Sequence, residues 1–374
     1  MSGGTRARVA LVGGFLGGGK TTAIAALARA LRARGRTIAV VTNDQGIRLV
    51  DGAFVDCQGL DGKEVRGGCF CCRFDDYLSK LDGLLRDGPP DVVLCEPVGS
   101  CTDLVATVIG PLGRLARDRV ELAPLSVVVD ARRALSFLDP RSAALLGTEL
   151  AYLFDRQVEE ADLIVLTKTD IIPARDVDIA SALLAARWPG KELLRVSSVD
   201  GSNVDTWARR LEAGADRPAR GPVDVDYDTY ARAEASLAWY DASFRLCAAK
   251  GFEPGAAVLA LVDAVAGSAE SAGLELVHLK VFARDGARWL KAGTTARGER
   301  PVAQGSMGDS CRDLGLILNA RMRCEPALLR DAVNGAIRGF SRSADLEVRD
   351  LAFECFAPGR PVPRYRDATR EEDG

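Results

Sequence analysis

The stretch Val9-Ala-Leu-Val-Gly-Gly-Phe-Leu-Gly-Gly-Gly-Lys-Thr-Thr22 decides how the chain folds. Its apolar run from Val9 to Val12 has strand character, and residues 23–31, behind the glycines, have the composition of a helix. Between them, Gly14 to Thr21 reads G-x-x-x-x-G-K-T, the Walker A or P-loop pattern. A chance Lys-Thr after a glycine turn would rarely have a strand before it and a helix after it. The stretch therefore predicts an α/β domain that binds a nucleoside triphosphate.

The residues of this loop fit the chemistry of phosphate binding. Glycines let successive backbone N–H groups turn inward and form a nest for phosphate oxygens, and the start of the following helix adds partial positive charge. Lys20 would reach the β- and γ-phosphates, and the Thr21 hydroxyl would bind Mg²⁺. The residues assigned to the nucleotide here are Gly14, Gly17, Gly18, Gly19, Lys20, Thr21 and Thr22.

The composition fits two domains with neither a nucleic-acid nor a membrane partner. The chain has 374 residues, and 49 Lys and Arg against 52 Asp and Glu leave a net charge of −3. No apolar run is long enough to span a bilayer, and the glycines of the P-loop distinguish it from a signal peptide, so a cytoplasmic protein is expected. Because His278 is the one histidine, histidine-based general base catalysis is almost excluded.

A second nucleotide element is predicted at Asp91-Val-Val-Leu-Cys-Glu96, an apolar strand that ends in an acid. Behind a P-loop, such a strand is typical of Walker B, whose acid holds Mg²⁺ through water or polarises the attacking water. The N–H of Gly99, three residues later, would approach the γ-phosphate. Lys20 and Glu96 are therefore the predicted catalytic residues.

A base-recognition element is predicted after the strand at residues 161–167. Thr167-Lys-Thr-Asp170 is a T-K-x-D variant of the guanine-reading N-K-x-D motif. The Asp170 carboxylate would accept from guanine N1–H and the 2-amino group, which adenine lacks, while the Lys168 stem packs over the base. The strand that ends in Ser197 and Ser198 suits a loop that touches guanine O6. The order of these elements is that of a GTPase.

The third predicted site is the cluster Cys69-Phe-Cys-Cys72, which contains three of the ten cysteines. Three thiolates in one loop suit Zn²⁺ or the borderline ions Co²⁺, Ni²⁺ and Fe²⁺, and a three-ligand site stays exchangeable. A redox disulfide or thiols placed by packing are the rival interpretations, although a bond between Cys71 and Cys72 would be strained. Cys95 and Cys101 flank the Glu96–Gly99 loop. Packing is expected for Cys95, and an approach of Cys101 to the cluster is left open.

Together these motifs resemble the CobW-like metallochaperone GTPases, relatives of the nickel-insertion GTPases UreG and HypB. The G-C-x-C-C behind a P-loop is the most specific feature, and the resemblance covers about the first 210 residues. The matching segments are Gly14–Thr22, Asn43–Asp51, Gly68–Cys72, Glu96–Gly99, Val129–Ala131, Gln157–Asp162 and Thr167–Asp170.

The resemblance implies a GTPase that delivers a metal ion to a client metalloprotein or metallo-cofactor enzyme. It also gives Asp51, at the end of the Asn43–Asp51 switch segment, a role near Mg²⁺. The chain departs from the family at Ile47, where an acid is usual, at Glu96-Pro-Val-Gly99 in place of E-T-T-G, and at Thr167 in place of Asn. The family's histidine-rich loops are absent as well.

The predicted fold is an α/β P-loop NTPase domain with a mainly parallel sheet, plus a smaller α+β C-terminal domain. The expected boundaries are residues 1–212 for the first domain, 213–224 for a linker, 225–358 for the second domain and 359–374 for a flexible tail. In the second domain, strands are expected at about 233–246, 274–284, 286–293, 312–324 and 345–356, helices at about 254–271 and 326–340, and a mobile loop at 297–310.

Two other functions stay open at this point. A P-loop kinase or ligase acting on a small molecule would use ATP, which the predicted role of Asp170 disfavours. A metal-sequestering scaffold would use the nucleotide for assembly and turn it over slowly. A homodimer is left open.

Overall fold

A computed structural model describes residues 6–46, 50–86, 88–139, 148–214, 221–295 and 298–367. The chain forms two compact units, and neither is a continuous stretch of sequence. The first unit consists of Met1–Gln45, Leu60–Ala233 and Pro361–Gly374, and the second consists of Gly46–Gly59 and Glu234–Arg360.

The first unit is built on a parallel sheet. Its described strands are β1 (Ala7–Gly13), β2 (Ile38–Asp44), β3 (Asp61–Arg66), β4 (Val92–Glu96), β5 (Val120–Leu122), β6 (Ser126–Asp130), β7 (Leu163–Thr167) and β8 (Glu192–Arg195). They follow the order β3-β2-β4-β1-β6-β7-β8, and β5 also pairs with β1. β4, β6 and β7 are buried along their whole length, which explains why they are nearly continuous apolar runs in the sequence.

Helices alternate with these strands. The described helices up to residue 235 are α1 (Lys20–Ala33), α2 (Val50–Cys57), α3 (Phe74–Leu85), a π-helical turn (Val105–Ile109) that continues into α4 (Gly110–Leu115), α5 (Ala131–Leu138), α6 (Thr148–Glu160), α7 (Ala174–Arg187), α8 (Val204–Ala213) and α9 (Tyr227–Ala235). Because the strands are parallel, their carboxyl ends lie along the same edge of the sheet. The loops after β1, β2, β4 and β7 therefore share this edge, where ligands bind in such folds.

The second unit is an antiparallel sheet with two long helices. Its described strands are β9 (Leu237–Phe252), β10 (Glu275–Asp285), β11 (Arg288–Thr294), β12 (Val302–Ser306), β13 (Cys311–Arg323) and β14 (Glu347–Phe356), in the order β12-β11-β10-β13-β9-β14. Helices α10 (Pro254–Ser271) and α11 (Pro326–Ala344) share one apolar core with the sheet, in which Val262 and Ile337 are buried with Leu318. The predicted α/β plus α+β fold is confirmed. The loop expected at 297–310 is wrong in part, because Val302–Ser306 pairs with β11.

Helix α2 belongs to the second unit, although it follows β2 of the first unit in sequence. The Val50 N–H donates to the Asn319 side chain on β13 at 3.0 Å. Lys280 on β10 donates to both carboxylate oxygens of Asp51 at 2.8 Å. The ring of Phe54 packs edge-on against Trp289 with 5.3 Å between their centroids. These contacts explain why Gly46–Gly59 separates from its sequence neighbours.

The other expected boundaries also differ from those of the structure. Residues 225–233, expected in the second domain, lie in the first unit, where the buried Tyr230 hydroxyl accepts from the Thr102 N–H at 3.4 Å. Residues 361–367, expected in the flexible tail, pack on the first unit, whereas 368–374 lie outside the described residues. Much of the expected linker, 215–220, lies outside them too. Among the described helices, none combines the length and the apolar composition that crossing a membrane requires.

Candidate functional site

The P-loop lies between the end of β1 and the start of α1 in a conformation that demands glycine. Gly14 has φ +132°, and a Cβ there would lie 2.2 Å from the Val128 carbonyl oxygen. Gly17 and Gly19 also have positive φ, and a Cβ on Gly18 would lie 3.0 Å from the Phe15 carbonyl oxygen. Only glycine fits these positions, and glycines are what a phosphate-binding loop needs for its N–H groups to turn inward.

Lys20 and Thr21 are buried at the first turn of α1. The Lys20 ammonium donates to the Gly14 carbonyl at 2.9 Å, so it lies over the loop that it would serve. The Thr21 hydroxyl donates to Glu96 Oε1 at 2.9 Å. Glu96 is the last residue of β4 and is also buried. A hydroxyl beside a carboxylate is the donor set that Mg²⁺ takes next to substrate phosphates, so these residues fit that ion.

Gly99 lies against the P-loop. A Cβ at this position would come within 2.8 Å of both the Leu16 side chain and the Lys20 ammonium. The buried Gln157 side chain on α6 donates to the carbonyls of Gly99 and Cys101, at 3.0 and 2.9 Å. Gln157 therefore fixes the loop that follows β4. It is absent from the predicted site, although it begins the matching segment Gln157–Asp162.

The T-K-x-D element clamps the other side of the P-loop. The Thr167 hydroxyl donates to the Gly18 carbonyl at 2.9 Å, and Lys168, at φ +59°, donates to the Gly17 carbonyl at 2.9 Å. The Lys168 ammonium also pairs with Asp130 at 2.6 Å. Burial acts to raise the pKa of Asp130, but the charges of Lys168 and Arg132 outweigh it, so the pKa is lowered and the ion pair is retained.

The remaining residues assigned to the base lie at the ends of β7 and β8. Asp170 is exposed, so its carboxylate is accessible to a ligand. Ser197 is buried, and its hydroxyl accepts from the N–H groups of Val199 and Asp200 at 3.3 and 3.2 Å. Ser198 is half-buried beside it. β8 ends at Arg195, so both serines lie in the loop beyond the strand.

Asp51 lies in the second unit, so the structure does not group it with the other predicted nucleotide residues. Its carboxylate is paired with Lys280 at 2.8 Å and with Lys291 at 3.6 Å. The predicted role of Asp51 near Mg²⁺ stays a prediction. Ile47, where the family usually has an acid, lies outside the described residues.

The three predicted thiols converge in the loop between β3 and α3. The Cys69 sulfur is 2.9 Å from that of Cys71 and 3.2 Å from that of Cys72, and the last two are 3.8 Å apart. Cys69 and Cys71 are buried, and Cys72 is half-buried. Tetrahedral bonds of roughly 2.3 Å to Zn²⁺ place sulfurs about 3.8 Å apart, so the cluster needs to open by less than about 1 Å.

Asn43, near the end of β2, holds this loop in place. Its amide donates to the carbonyls of Val65 and Gly68 at 3.1 and 2.7 Å, and its side-chain oxygen accepts from the Phe70 N–H at 2.8 Å. Gly68 has φ +147°, which suits glycine and turns the chain into the cysteine run. The loop is therefore anchored to the strand beside β4.

A fourth thiol, that of Cys101, reaches the cluster. Hydrogen bonding with Cys101, Cys71 and Cys72 holds the pKa of Cys69 well below its ordinary value, whereas hydrogen bonding with Cys101 and Cys69 raises that of Cys71. Cys69 is thus the thiol of the cluster that loses its proton most readily. Cys101 follows Gly99 by two residues, and its position beside Glu96–Gly99 is the one signal in the sequence that points to it.

Comparison with known proteins gives a matching family model and several curated relatives. A family model described as "CobW/HypB/UreG, nucleotide-binding domain" matches residues 8–193. The zinc chaperone YeiR of Escherichia coli K12 is 35% identical over 167 residues, covering 44% of this chain and 47% of that protein. The zinc chaperone CobW of Sinorhizobium sp is 32% identical over 183 residues, covering 44% and 51%. The chain therefore spans about half the length of these curated relatives.

Solved structures also match. HypB from Helicobacter pylori in complex with nickel has a TM-score of 0.40 and 15% identity, covering 56% of this chain and 90% of that one. Zn(II)-bound YjiA GTPase from E. coli has a TM-score of 0.35 and 17% identity, covering 90% and 99%. The family assignment depends on the sequence matches and on the motifs placed above. Residues 8–193 are a nucleotide-binding domain of the CobW/HypB/UreG family.

Proposed function

We propose that this protein is a Mg²⁺-dependent GTPase that binds a divalent transition metal ion at the thiol cluster and passes it to a client metalloprotein or metallo-cofactor enzyme. Zn²⁺ is the favoured cargo, because thiolates in tetrahedral geometry suit it and because two relatives are named zinc chaperones. Co²⁺, Ni²⁺ and Fe²⁺ are the alternatives that the same ligands accept.

The observation that carries the proposal is that both sites are anchored to neighbouring strands. β2 pairs with β4, and β4 pairs with β1. Asn43 on β2 holds the thiol loop, Glu96 on β4 contacts Thr21, and β1 leads into the P-loop. A change in the loops at these strand ends would therefore reach both the nucleotide and the metal ion.

The residues around the phosphates have separate roles in hydrolysis. Lys20 would hold the β- and γ-phosphates, and the Gly99 N–H would contact the γ-phosphate from the other side. Thr21 and Glu96 would hold Mg²⁺, with Glu96 acting through water. Bound Mg²⁺ supplies positive charge that neutralises the phosphoryl group during transfer. Glu96 is also the acid best placed to orient the attacking water.

Asp170 would select guanine by accepting from N1–H and the 2-amino group. The Lys168 stem would lie under the base, with its ammonium fixed by Asp130. Thr167 joins this element to Gly18 of the P-loop, and Ser197 and Ser198 would border the base at O6. An ATP complex would leave the carboxylate without donors, which penalises ATP.

Nucleotide turnover would control the cargo. With GTP and Mg²⁺ bound, the Glu96–Gly99 loop is held in place and the thiol cluster binds the metal ion tightly. Hydrolysis removes the γ-phosphate contact at Gly99, and the relaxed loops release the ion. Because coupling between two binding sites is reciprocal, the metal ion must tighten GTP binding by the same factor.

Reciprocal titration tests this proposal. Zn²⁺ affinity is measured with and without a non-hydrolysable GTP analogue and Mg²⁺, and analogue affinity is measured with and without Zn²⁺. We expect equal enhancement in both directions, roughly tenfold or more. The triple variant Cys69/Cys71/Cys72→Ser should lose Zn²⁺ and the enhancement, whereas Cys324→Ser, in the second unit, should keep both.

Other outcomes would contradict the proposal in distinct ways. Equal metal content in the wild type and the triple variant would remove the thiol site. Stronger binding of ATP than of GTP would favour a small-molecule kinase or ligase. Negligible GTP turnover in the presence of metal ion and client would favour a metal-sequestering scaffold.

A further inference from the structure

We propose that Cys101 is a fourth metal ligand, so that the cargo ion is held by four thiolates from two loops of the first unit. The three predicted thiols come from the loop before α3, and the fourth comes from the loop after β4. The coupling of this site to the nucleotide rests on the proposed function, whereas the assignment of the ligand does not.

The placement of Cys101 is the first argument. Its thiol is within hydrogen-bonding reach of the Cys69 and Cys71 thiols, and its side chain is 2% exposed. The backbone around it is fixed, because its N–H donates to the Val98 carbonyl at 3.0 Å and its carbonyl accepts from Gln157 at 2.9 Å. These two hydrogen bonds hold the loop in the conformation that directs the thiol at the cluster.

A buried cysteine placed by packing looks different in this protein. Cys95, on β4 of the same connection, is fully buried, and its sulfur accepts from the Tyr77 hydroxyl at 3.3 Å. No other sulfur is among the groups that shift the pKa of Cys95, and burial raises it to about 12, so the side chain stays a neutral thiol. Cys101 instead contacts two other sulfurs, those of Cys69 and Cys71, and a group of converging sulfurs is the environment of a metal ligand.

The surroundings of the four sulfurs also suit a thiolate site. The Val362 N–H donates to the Cys72 sulfur at 3.3 Å, and the Arg364 N–H donates to the Cys71 carbonyl at 2.8 Å. Arg366 pairs with the buried Asp103 at 2.7 Å, two residues beyond Cys101. The segment 361–367 therefore contacts both loops that carry ligands. Backbone N–H groups on sulfur stabilise its negative charge and fix its orientation.

A fourth thiolate changes what the site can do. Four protein ligands close the coordination sphere of Zn²⁺, and closed sites hold their ion, whereas three-ligand sites leave a position for exchange. Cys101 lies two residues after Gly99, the residue assigned to the γ-phosphate. Movement of this loop on hydrolysis would withdraw one ligand of four, so that the ion becomes exchangeable without leaving Cys69, Cys71 and Cys72.

Cobalt spectroscopy tests the ligand assignment with Co²⁺ alone. We expect Cys101→Ser to lose about a quarter of the sulfur-to-cobalt charge-transfer intensity, because one of four Co–S bonds is removed. Its Zn²⁺ affinity is measured by competition with a chelator. Loss of a residue that only supports a ligand already lowers metal affinity by about 10-fold to 100-fold, so loss of a ligand should lower it further. Cys95→Ser is the matched control and should change neither value.

X-ray absorption of the Zn²⁺-loaded wild type decides the matter if Cys101→Ser does not fold. Four sulfur neighbours support the proposal, and three sulfurs with one oxygen or nitrogen overturn it. Unchanged cobalt intensity and Zn²⁺ affinity in folded Cys101→Ser overturn it as well. A four-sulfur site whose affinity is independent of GTP would overturn the proposed coupling and leave Cys101 as a ligand.

Discussion

The phosphate loop and the thiol cluster are two binding sites built in opposite ways. The P-loop is one continuous stretch whose geometry is carried by backbone atoms and by the glycines that permit it. The thiol cluster draws on the cysteine loop, on Cys101 and on the backbone of residues 362–364. A continuous site can be read from residue spacing, whereas an assembled site depends on how distant segments pack.

The two sites should therefore fail in different ways. A change in the P-loop acts on the chain at a single point, where the backbone has no alternative conformation. A change in the thiol cluster acts on one of several supports, and the others remain. Substitutions at each site can sharpen or break this contrast.

The largest effect is expected from Gly14→Ala. Alanine would need φ +132° and would place its Cβ 2.2 Å from the Val128 carbonyl oxygen. We expect the free energy of unfolding to fall by at least about 3 kcal/mol, because positive φ and overlap with a rigid backbone atom both oppose the native loop. Chemical denaturation followed by circular dichroism measures the change.

Gly83→Ala is the control for this variant. Gly83 lies within α3, and a Cβ there would meet no heavy atom within 4 Å apart from the backbone of its own helix and its chain neighbours. Alanine should leave stability unchanged or raise it by up to about 1 kcal/mol. Equal stability of the Gly14 and Gly83 variants would show that the loop adapts, and the contrast between the two sites would be lost.

A second effect is expected from Glu160, which is fully buried at the end of α6 and supports the segment after Cys101. Its carboxylate accepts from the Thr102 hydroxyl and from the N–H groups of Asp103 and Val105, at 2.7, 2.6 and 2.9 Å. Burial raises the pKa of Glu160 to about 7 despite these donors, and the charge of Asp103 adds to the shift. The folded state therefore favours the protonated acid.

The sign of the resulting pH dependence follows from this shift. Stability from Glu160 is fully present below the ordinary pKa of 4.5 and is lost as the pH rises through about 7. From pH 4.5 to 8 we expect the wild type to lose up to about 3 kcal/mol more than Glu160→Gln, whose side chain does not titrate. Denaturation at several pH values measures this, with Glu159→Gln as control. Parallel profiles for wild type and Glu160→Gln would contradict the prediction.

The smallest effect is expected from Arg366→Ala, which removes one support of the thiol cluster. The Asp103 carboxylate would still accept a hydrogen bond from the Tyr227 hydroxyl at 2.8 Å, but it would lose its ion pair with Arg366. We expect a loss of about 1 to 2 kcal/mol, limited because Arg366 is partly solvated, and a fall in Zn²⁺ affinity of up to about tenfold. Thermal unfolding and chelator competition measure the two effects.

Arg364→Ala is the matched control on the same segment. Its guanidinium forms an exposed pair with Asp75 at 3.2 Å, while its backbone bond to Cys71 does not depend on the side chain. Stability should change by less than about 0.5 kcal/mol, with Zn²⁺ affinity unchanged. If both arginine variants bind Zn²⁺ like the wild type, residues 361–367 do not support the thiol cluster.

Much of the fold follows from the sequence because its signals are local. Continuous apolar runs mark β4, β6 and β7, which are buried on both faces. β9 extends to Phe252, six residues beyond its expected end, and most other strands and helices of the second unit are predicted to within about four residues. β12 is not, because Val302–Ser306 is exposed at the edge of its sheet and has no apolar face to mark it.

The candidate site is predictable in the parts that are motifs. The P-loop residues, Glu96, Gly99 and the three neighbouring cysteines are identified by spacing alone. Gln157 and Cys101 are absent from the predicted site because single polar or thiol side chains carry no pattern. Arg366 is absent for another reason, since it reaches Asp103 across 263 positions of sequence. Contacts of this kind exist only once the chain has folded.

The division of the chain into its two units has a consequence for how this protein can be cut or recombined. The backbone passes from one unit to the other four times, after Gln45, Gly59, Ala233 and Arg360. A fragment that ends at Ala233 keeps α2 without the sheet that it packs on and loses residues 361–367. A single genetic crossover between Gly46 and Arg360 would likewise split both units, because each unit has segments on either side of such a point.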